Sequence, residues 1–534
     1  MPSAWSTYPI EFKGGLISNL TQLQHGLNMP GSASYLENFE VAKSGGYKKI
    51  NGYSTYDDTA VTGIDNVLTV AITDTLSNVY AARVESTDTN TVYYKSTGYD
   101  ASTKTYSGWT SIGSVTKSTN PIDHVNVTFT GTETTIFVDG SNYPHYTTGT
   151  SITEMTSANS PDLNGANIVT TYKNHVFFAI GNLLVHSAPF SLTDYSAANG
   201  AASYTFDSAI TGLITFRDQL FIFTKKNIRV LSGSTIANFT INPVAEDIGC
   251  IDFRTVKEVG GDVMFLSLGG LRLLSATDRI NDFSINLPTD SVYKQINELI
   301  DSANDYTSVT IPSKAQYRLF AANASVGQRS AKGITGTKLV AQGGEGFQWS
   351  TIRGMLVLCA DNKSYGDEEL VVFGSSDGYV YKMEDGITFG SSRDSVTGEL
   401  TGGSNITSVF QTPYIPITDP NIRKTFYRVN FYLDTEGEFS ANAQLMLDYG
   451  ASLAEGVIQP EPFTISNTGN ISGLYGDYRS VFGTTVFGGV IDYNYDSHLQ
   501  GSGNVFALRL EDISTSAPYT IDSAVIEFRE NDRQ

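Results

Sequence analysis

The chain has 534 residues, 40% of them hydrophobic and only 17% charged, so it is globular rather than disordered and too long for one ordinary core. Its 34 basic and 55 acidic residues give a formal charge of −21, which argues against a sequence-independent grip on nucleic acid, since that needs Lys and Arg against the phosphates. No apolar run is long enough to span a bilayer, and the opening MPSAWSTYPIEFKGG lacks the basic start and apolar stretch of a signal peptide.

Residues 27–54 read LNMPGSASYLENFEVAKSGGYKKINGYS. Pro30 and Gly31 break the chain, and the short run after them predicts one or two turns of helix. From Phe39 to Ser54, polar and apolar residues roughly alternate around Gly45, Gly46 and Gly52. Two placements are open for this strand-like segment. It pairs with a distant partner, the last repeat or the C-terminal domain, or it is a local hairpin turning at Gly45-Gly46.

The middle of the chain repeats itself. HVFFAIGNLLVHS from His175, QLFIFTKKNIRVLS from Gln219 and DVMFLSLGGLRLLS from Asp262 each read strand, two-residue turn, strand, Ser. A looser copy, ELVVFGSSDGYVYKM, starts at Glu369, and its turn, like the others, falls on residues such as Gly and Asn that tolerate positive φ. Asn182, Asn227 and Gly270 mark turns one period apart. AQYRLFAANAS from Ala315, TTIFVDGSNYPHY around Asn142 and VYAARVESTDTNTVYYKS around Asn90 extend the series. A hairpin period of about 40–50 residues is the signature of a β-propeller. The expected fold is therefore all-β: a propeller of six or seven blades over residues 59–400, an N-terminal arm and hairpin over 1–58, and a C-terminal β-sandwich over 401–534. Only DSVYKQINELIDSAND, residues 290–305, has helical spacing, and it predicts an insertion between blades. Cys250 and Cys359 lie in apolar stretches and read as buried free thiols.

The 27–54 stretch resembles the N-terminal signature of tail nozzle proteins of short-tailed bacteriophages, a group also called tail tubular protein B or packaged-DNA stabilisation proteins. The residues that carry it are Pro30, Gly31, Asn38, Phe39, Gly45, Gly46, Lys48, Lys49, Gly52 and Tyr53. GLITFRDQLFIFTKKNIRVLSG, AEDIGCIDFRTVKEVGGDVMFLSLGGLRLLSAT, FGSSDGYVYKMEDG and PNIRKTFYRVNFYL are similar to later parts of the family, in the same order. Residues 80–113 have no counterpart. The resemblance implies a structural, non-enzymatic subunit without cofactor or metal, made in the host cytoplasm and carried in the virion tail. Six copies would form a ring beneath the portal and the tail adaptor protein, alongside tail fibre or tail needle proteins. The ring would hold packaged genomic DNA, pass it without sequence-specific binding, and open on infection. An acidic lumen would repel phosphate rather than bind it.

Other constellations point less far. The cluster Arg423, Lys424 and Arg428 stands at a domain junction and is a candidate interface with a neighbour; Lys225, Lys226 and Arg229 read as a solvated hairpin end. Ser376 centres a G-x-S-x-G match, but in a hairpin turn rather than the strand-to-helix elbow a nucleophile needs. His175 and His186 flank one hairpin and read as surface polar residues. The alternative function is a glycan-binding or glycan-cleaving propeller, which for cleavage needs paired carboxylates about 5–9 Å apart. Its candidates are Asp361, Asp367, Glu368 and Glu369.

Overall fold

The computed structural model describes residues 5–129, 131–156, 163–276, 283–302, 305–323, 325, 327–341, 344–451, 457–467 and 494–531. Seven antiparallel units follow one another along the chain: five separate four-stranded sheets, four strands of a nine-stranded sheet, and three strands completed by Tyr53–Thr55. Their first strands are Ile64–Ile72, Asp123–Val127, Ile168–Tyr172, Ile210–Phe216, Lys257–Val259, Asp305–Ile311 and Cys359–Tyr365. Residues from all seven of these strands line one central cavity of about 260 Å³, so each unit is a blade with its first strand at the axis. The fold is an all-β propeller with seven blades.

What closes the ring is visible in the alternation of side chains along each second strand. In blade three, Val176 and Phe178 pack with Ile136 and Val138 of blade two, while Phe177 and Ala179 pack with Leu220 and Ile222 of blade four. In blade four, Phe221 and Phe223 meet Val263 and Phe265 of blade five. Both faces of an inner blade are buried, which is why these strands read as continuous apolar runs instead of alternating ones. The last contact, between blades seven and one, joins Val372 and Val380 to Val67, Val70 and Ile72.

The repeated turns fall between the second and third strands of their blades. Gly181, Gly270 and Gly378 adopt positive φ there, whereas the Lys226-Asn227 turn relies on Thr224, whose Oγ1 accepts from both backbone N–H groups. The tighter two-residue turns with both φ positive lie one hairpin earlier, at Lys173-Asn174, Arg217-Asp218 and Gly260-Gly261. These keep the same period and match the right-handed twist of their flanking strands. The helix Tyr293–Ser302, preceded by a 3-10 turn at Asp290–Val292, sits between blades five and six and buries Val292, Ile296 and Leu299.

Beyond blade seven the chain forms two facing sheets. One contains Lys424–Thr435, Tyr519–Glu530 and Asn494–Gly503; the other contains Ser408–Gln411, Phe506–Asp512, Ser440–Leu447 and Phe463–Ser466. Phe426, Phe431, Ile521 and Ile526 of the first meet Phe410, Leu445, Leu508 and Leu510 of the second in one core, a β-sandwich.

The first 58 residues supply strands to three sheets. Ser6–Glu11 pairs with Tyr519–Glu530, and so does Tyr47–Lys49, which forms a hairpin with Phe39–Val41. Tyr53–Thr55 pairs antiparallel with Val380–Met383 and becomes the fourth strand of blade seven. The two placements left open for residues 39–54 are therefore both occupied: a local hairpin turns at Gly45-Gly46, and its flanks pair with the sandwich and the last blade. The helix expected after Pro30-Gly31 is a strand instead. Tyr35–Glu37 bridges Ser408–Gln411 and the outer strand of blade six, while the short helix Gln22–Asn28 precedes the proline. Pairing on both sides overrides a weak helical preference. Through this bridge, one nine-stranded sheet runs from blade six into the sandwich.

Candidate functional site: the N-terminal clasp and the axial cavity

The clasp is the place where propeller, sandwich and N-terminal segment meet. Asn38 is buried there with φ of 55°, a conformation Asn tolerates better than most residues. Its side-chain amide donates to the carbonyls of Arg353 (3.0 Å) and Thr407 (2.8 Å), and its Oδ1 accepts from the Arg353 N–H at 2.9 Å. One side chain thus ties blade six to the strand that opens the sandwich. Glycines allow the backbones to touch: a Cβ on Gly31 would lie 1.8 Å from the Glu11 carbonyl oxygen, and one on Gly52 would lie 2.0 Å from that of Thr388. Pro30 turns the chain into this passage. Phe39 packs edge-on against Tyr519 at 6.0 Å. Tyr53 stacks on Phe389 at 5.0 Å and meets Phe373 and Tyr381 edge-on.

Beside these lies a buried ion cluster that the sequence did not reveal. Glu40 and Glu384 alternate with Lys314 and Arg318: Lys314 Nζ is 2.6 Å from Glu40 and 2.5 Å from Glu384, and Arg318 Nη2 is 3.2 Å and 2.6 Å from the same two. Gln316 donates to Glu40, and Asn51 donates to Glu384. Burial alone would raise the Glu384 pKa, but Arg318 and Lys314 outweigh it and hold the carboxyl at about 2. The same two acids overcome the burial of Lys314 and raise its pKa. The cluster links the N-terminal strand to blades six and seven, across 274 residues or more in the chain. Of the four charged residues only Glu40 lies within the signature stretch, so no local pattern announced its partners.

The basic residues of the signature take different roles. Lys48 pairs with Glu436, while Lys49 is wholly buried against Asp512. The candidate interface is split. Arg423 is exposed and donates to Ser502, and Arg428 lies near Asp496, but Lys424 is completely buried and its ammonium donates to the Asp419 carbonyl at 2.7 Å. Lys424 is thereby removed from any surface, a correction to the cluster read from sequence. Lys225 and Lys226 are exposed at their hairpin turn.

The axial cavity gathers Asp123 and His124 of blade two, Arg254 and Lys257 at blade five, and the polar Thr170 and Ser308. Burial raises the Asp123 pKa, with partial relief from the Val169 N–H at 2.9 Å and from the charges of His124 and Lys257. Asp361 Oδ2 lies 3.2 Å from His124 Nε2 and accepts the Ile72 N–H at 2.8 Å. Burial would raise its pKa too, but His124 outweighs it and the carboxyl is held below its ordinary value. Arg254 is taken up by Asp252 and Asp305. Of the acidic cluster read from sequence, only Asp361 faces the ring interior; Asp367 and Glu368 are exposed at the outer turn of blade seven, and Glu369 accepts from Ser313. Those four do not converge.

His175 and His186 are neighbours, with ring centroids 4.8 Å apart, but both are buried among Phe177 and Phe239 rather than exposed. Burial lowers the His186 pKa to about 4. Ser376 sits in the turn before Val380–Met383. Cys250 and Cys359 are buried free thiols, pushed up to about 12 by burial. Among the described residues, no group of three or more His, Cys, Asp or Glu side chains is arranged to hold a metal ion. No described helix is long and apolar enough to cross a membrane.

No family model and no curated protein matches this chain. Among solved structures, it is similar to the WD40 β-propeller domain of Doa1, at 12% identity and a TM-score of 0.36, covering 62% of this chain and 96% of that one. The propeller assignment rests on the chain's own seven blades and their shared axis.

Proposed function

We propose that the chain is a structural subunit of the tail nozzle of a short-tailed bacteriophage. Six copies form a ring beneath the tail adaptor, hold the packaged DNA, and widen when the tail meets its host. The observation that carries the reading is where the signature residues lie. Asn38, Gly31, Gly46, Gly52 and Tyr53 are spread over 23 residues of sequence yet all serve the clasp that joins sandwich to propeller. A pattern whose residues are all used to tie two domains together is what a ring subunit held under pressure requires, and it asks no chemistry of the chain. The charge of −21 suits a surface past which phosphate slides. In this reading the protein is made in the host cytoplasm and ends in the virion tail, with fibre or needle proteins as further neighbours.

The second reading, a glycan-binding or glycan-cleaving propeller, draws on one observation: Asp123 lines the axial cavity, Asp361 is held on the His124 that lines it too, and their pKa values are displaced in opposite directions. Sedimentation of the purified chain with and without its adaptor separates the two. Hexamers, alone or only on the adaptor, support the nozzle. A monomer that ignores the adaptor and binds an oligosaccharide, with binding or cleavage lost in Asp123→Asn, overturns it.

A further inference from the structure

Lys49 ends the strand Tyr47–Lys49, and Asp512 ends the strand Phe506–Asp512. Their side chains meet inside the sandwich, Nζ to Oδ2 at 2.8 Å, and are 1% and 0% exposed. An ion pair so deep is expensive to keep, because neither charge is solvated and few other groups compensate. The remaining contacts of Lys49 are the carbonyls of Ser514 and Ser516, both at 3.4 Å. Burial lowers the Lys49 pKa, with Asp512 pulling in the opposite direction, so its neutral amine is brought within reach.

The two carboxylate oxygens are not equivalent. Oδ2 faces the lysine. Oδ1 accepts two hydrogen bonds from one residue, the backbone N–H and the hydroxyl of Ser514, each at 2.8 Å. That is the arrangement in which fixed donors stabilise an oxyanion developing on a carbonyl carbon under attack. The Tyr519 hydroxyl is buried beside the same carboxylate, so a group able to relay a proton is at hand.

We propose that Lys49 and Asp512 condense to an intramolecular isopeptide bond. The ammonium gives one proton to Oδ2, and the resulting amine attacks Cγ while Ser514 holds the charge on Oδ1. The Cγ–Oδ2 bond then breaks as a second proton passes from nitrogen to the leaving oxygen. An ammonium and a carboxylate become one amide and one water, and no oxidant, metal or activated group is consumed. The driving force is physical: the amide removes two buried charges, and the water is released to solvent. Held in contact, the pair also has the proximity that speeds intramolecular reactions. The bond would close a loop of 463 residues and fasten the N-terminal segment to the sandwich covalently.

Intact-mass measurement of the folded full-length chain, followed by protease mapping, tests this. The expected result is a mass one water below that of the sequence and a branched peptide joining the segments around Lys49 and Asp512. Lys49→Arg should restore the full sequence mass of its own chain. A folded wild-type chain with the full mass and only linear peptides overturns the proposal, as does a water loss mapped to any other pair of residues. Should Lys49→Arg fail to fold, the wild-type branched peptide decides alone.

Discussion

Blades four and five meet through Phe221, Phe223, Val230, Val263, Phe265 and Leu274, a buried contact made by apolar side chains. Blades six and seven meet through Val309, Phe320, Val371 and Phe373, but there the N-terminal segment intrudes, and its Glu40 joins Lys314 and Arg318 of blade six and Glu384 of blade seven. The first contact is made by neighbours in the chain and needs only shape and apolar area, which many residue combinations supply. The second must hold one particular distant strand in one register. A buried ion cluster is a poor way to add stability but a strict way to specify a partner, because a misplaced strand leaves charges unpaired.

That contrast can be tested by breaking each contact. Glu40→Ala leaves Arg318 and Lys314 sharing one acid, and should destabilise the chain by about 3–5 kcal/mol in equilibrium urea unfolding. The double change Glu40→Leu with Arg318→Met should cost clearly less than Glu40→Ala alone; if it costs more, the cluster is supplying stability and not merely register. Phe223→Ala, which empties the Phe223–Phe265 contact at 5.1 Å, should cost about 3–4 kcal/mol with no rescue from any charge change. Acid should separate the two contacts further. Glu384 has its folded pKa at about 2 against an ordinary 4.5, so its contribution is complete above pH 4.5 and drains away as pH falls through about 2. The loss is on the order of 3 kcal/mol and should vanish in Glu384→Gln, whereas Phe223→Ala should leave the acid limb unchanged. The smallest effect belongs to the exposed turn of blade four: Lys226→Ala should shift stability by less than about 0.5 kcal/mol.

The blades were legible because each is local. A hairpin buried on both faces writes two apolar runs and a turn within about fifteen residues, and the period repeats. The tightest turns, Lys173-Asn174 and Arg217-Asp218, were passed over because Lys and Arg are unusual at positive φ, and the Asn and Asp beside them were the available signal. The clasp was legible only in part. Glycines and aromatics marked residues 39–54 as a segment that must approach other backbone, but Lys314, Arg318 and Glu384 sit in ordinary hairpins and mean nothing until the strands are paired. Lys424 misled for a related reason. A lysine in a basic run looks solvated, and its burial depends on the carbonyls of Asp419 and Asn504 folding over it. The histidine pair was placed correctly across its hairpin but on the wrong side of the surface, since the covering ring, Phe239, comes from the next blade.

The pairing of Ser6–Glu11 with Tyr519–Glu530 also sets a schedule. Synthesis at about 5–20 residues per second separates the two strands by tens of seconds, during which the blades can assemble while Ser6–Glu11 has no partner. Its strands then present open edges to any neighbouring chain. Crowded translation of many copies from one message would favour exchange of this segment between chains, and slow or dilute expression would favour closure within each one.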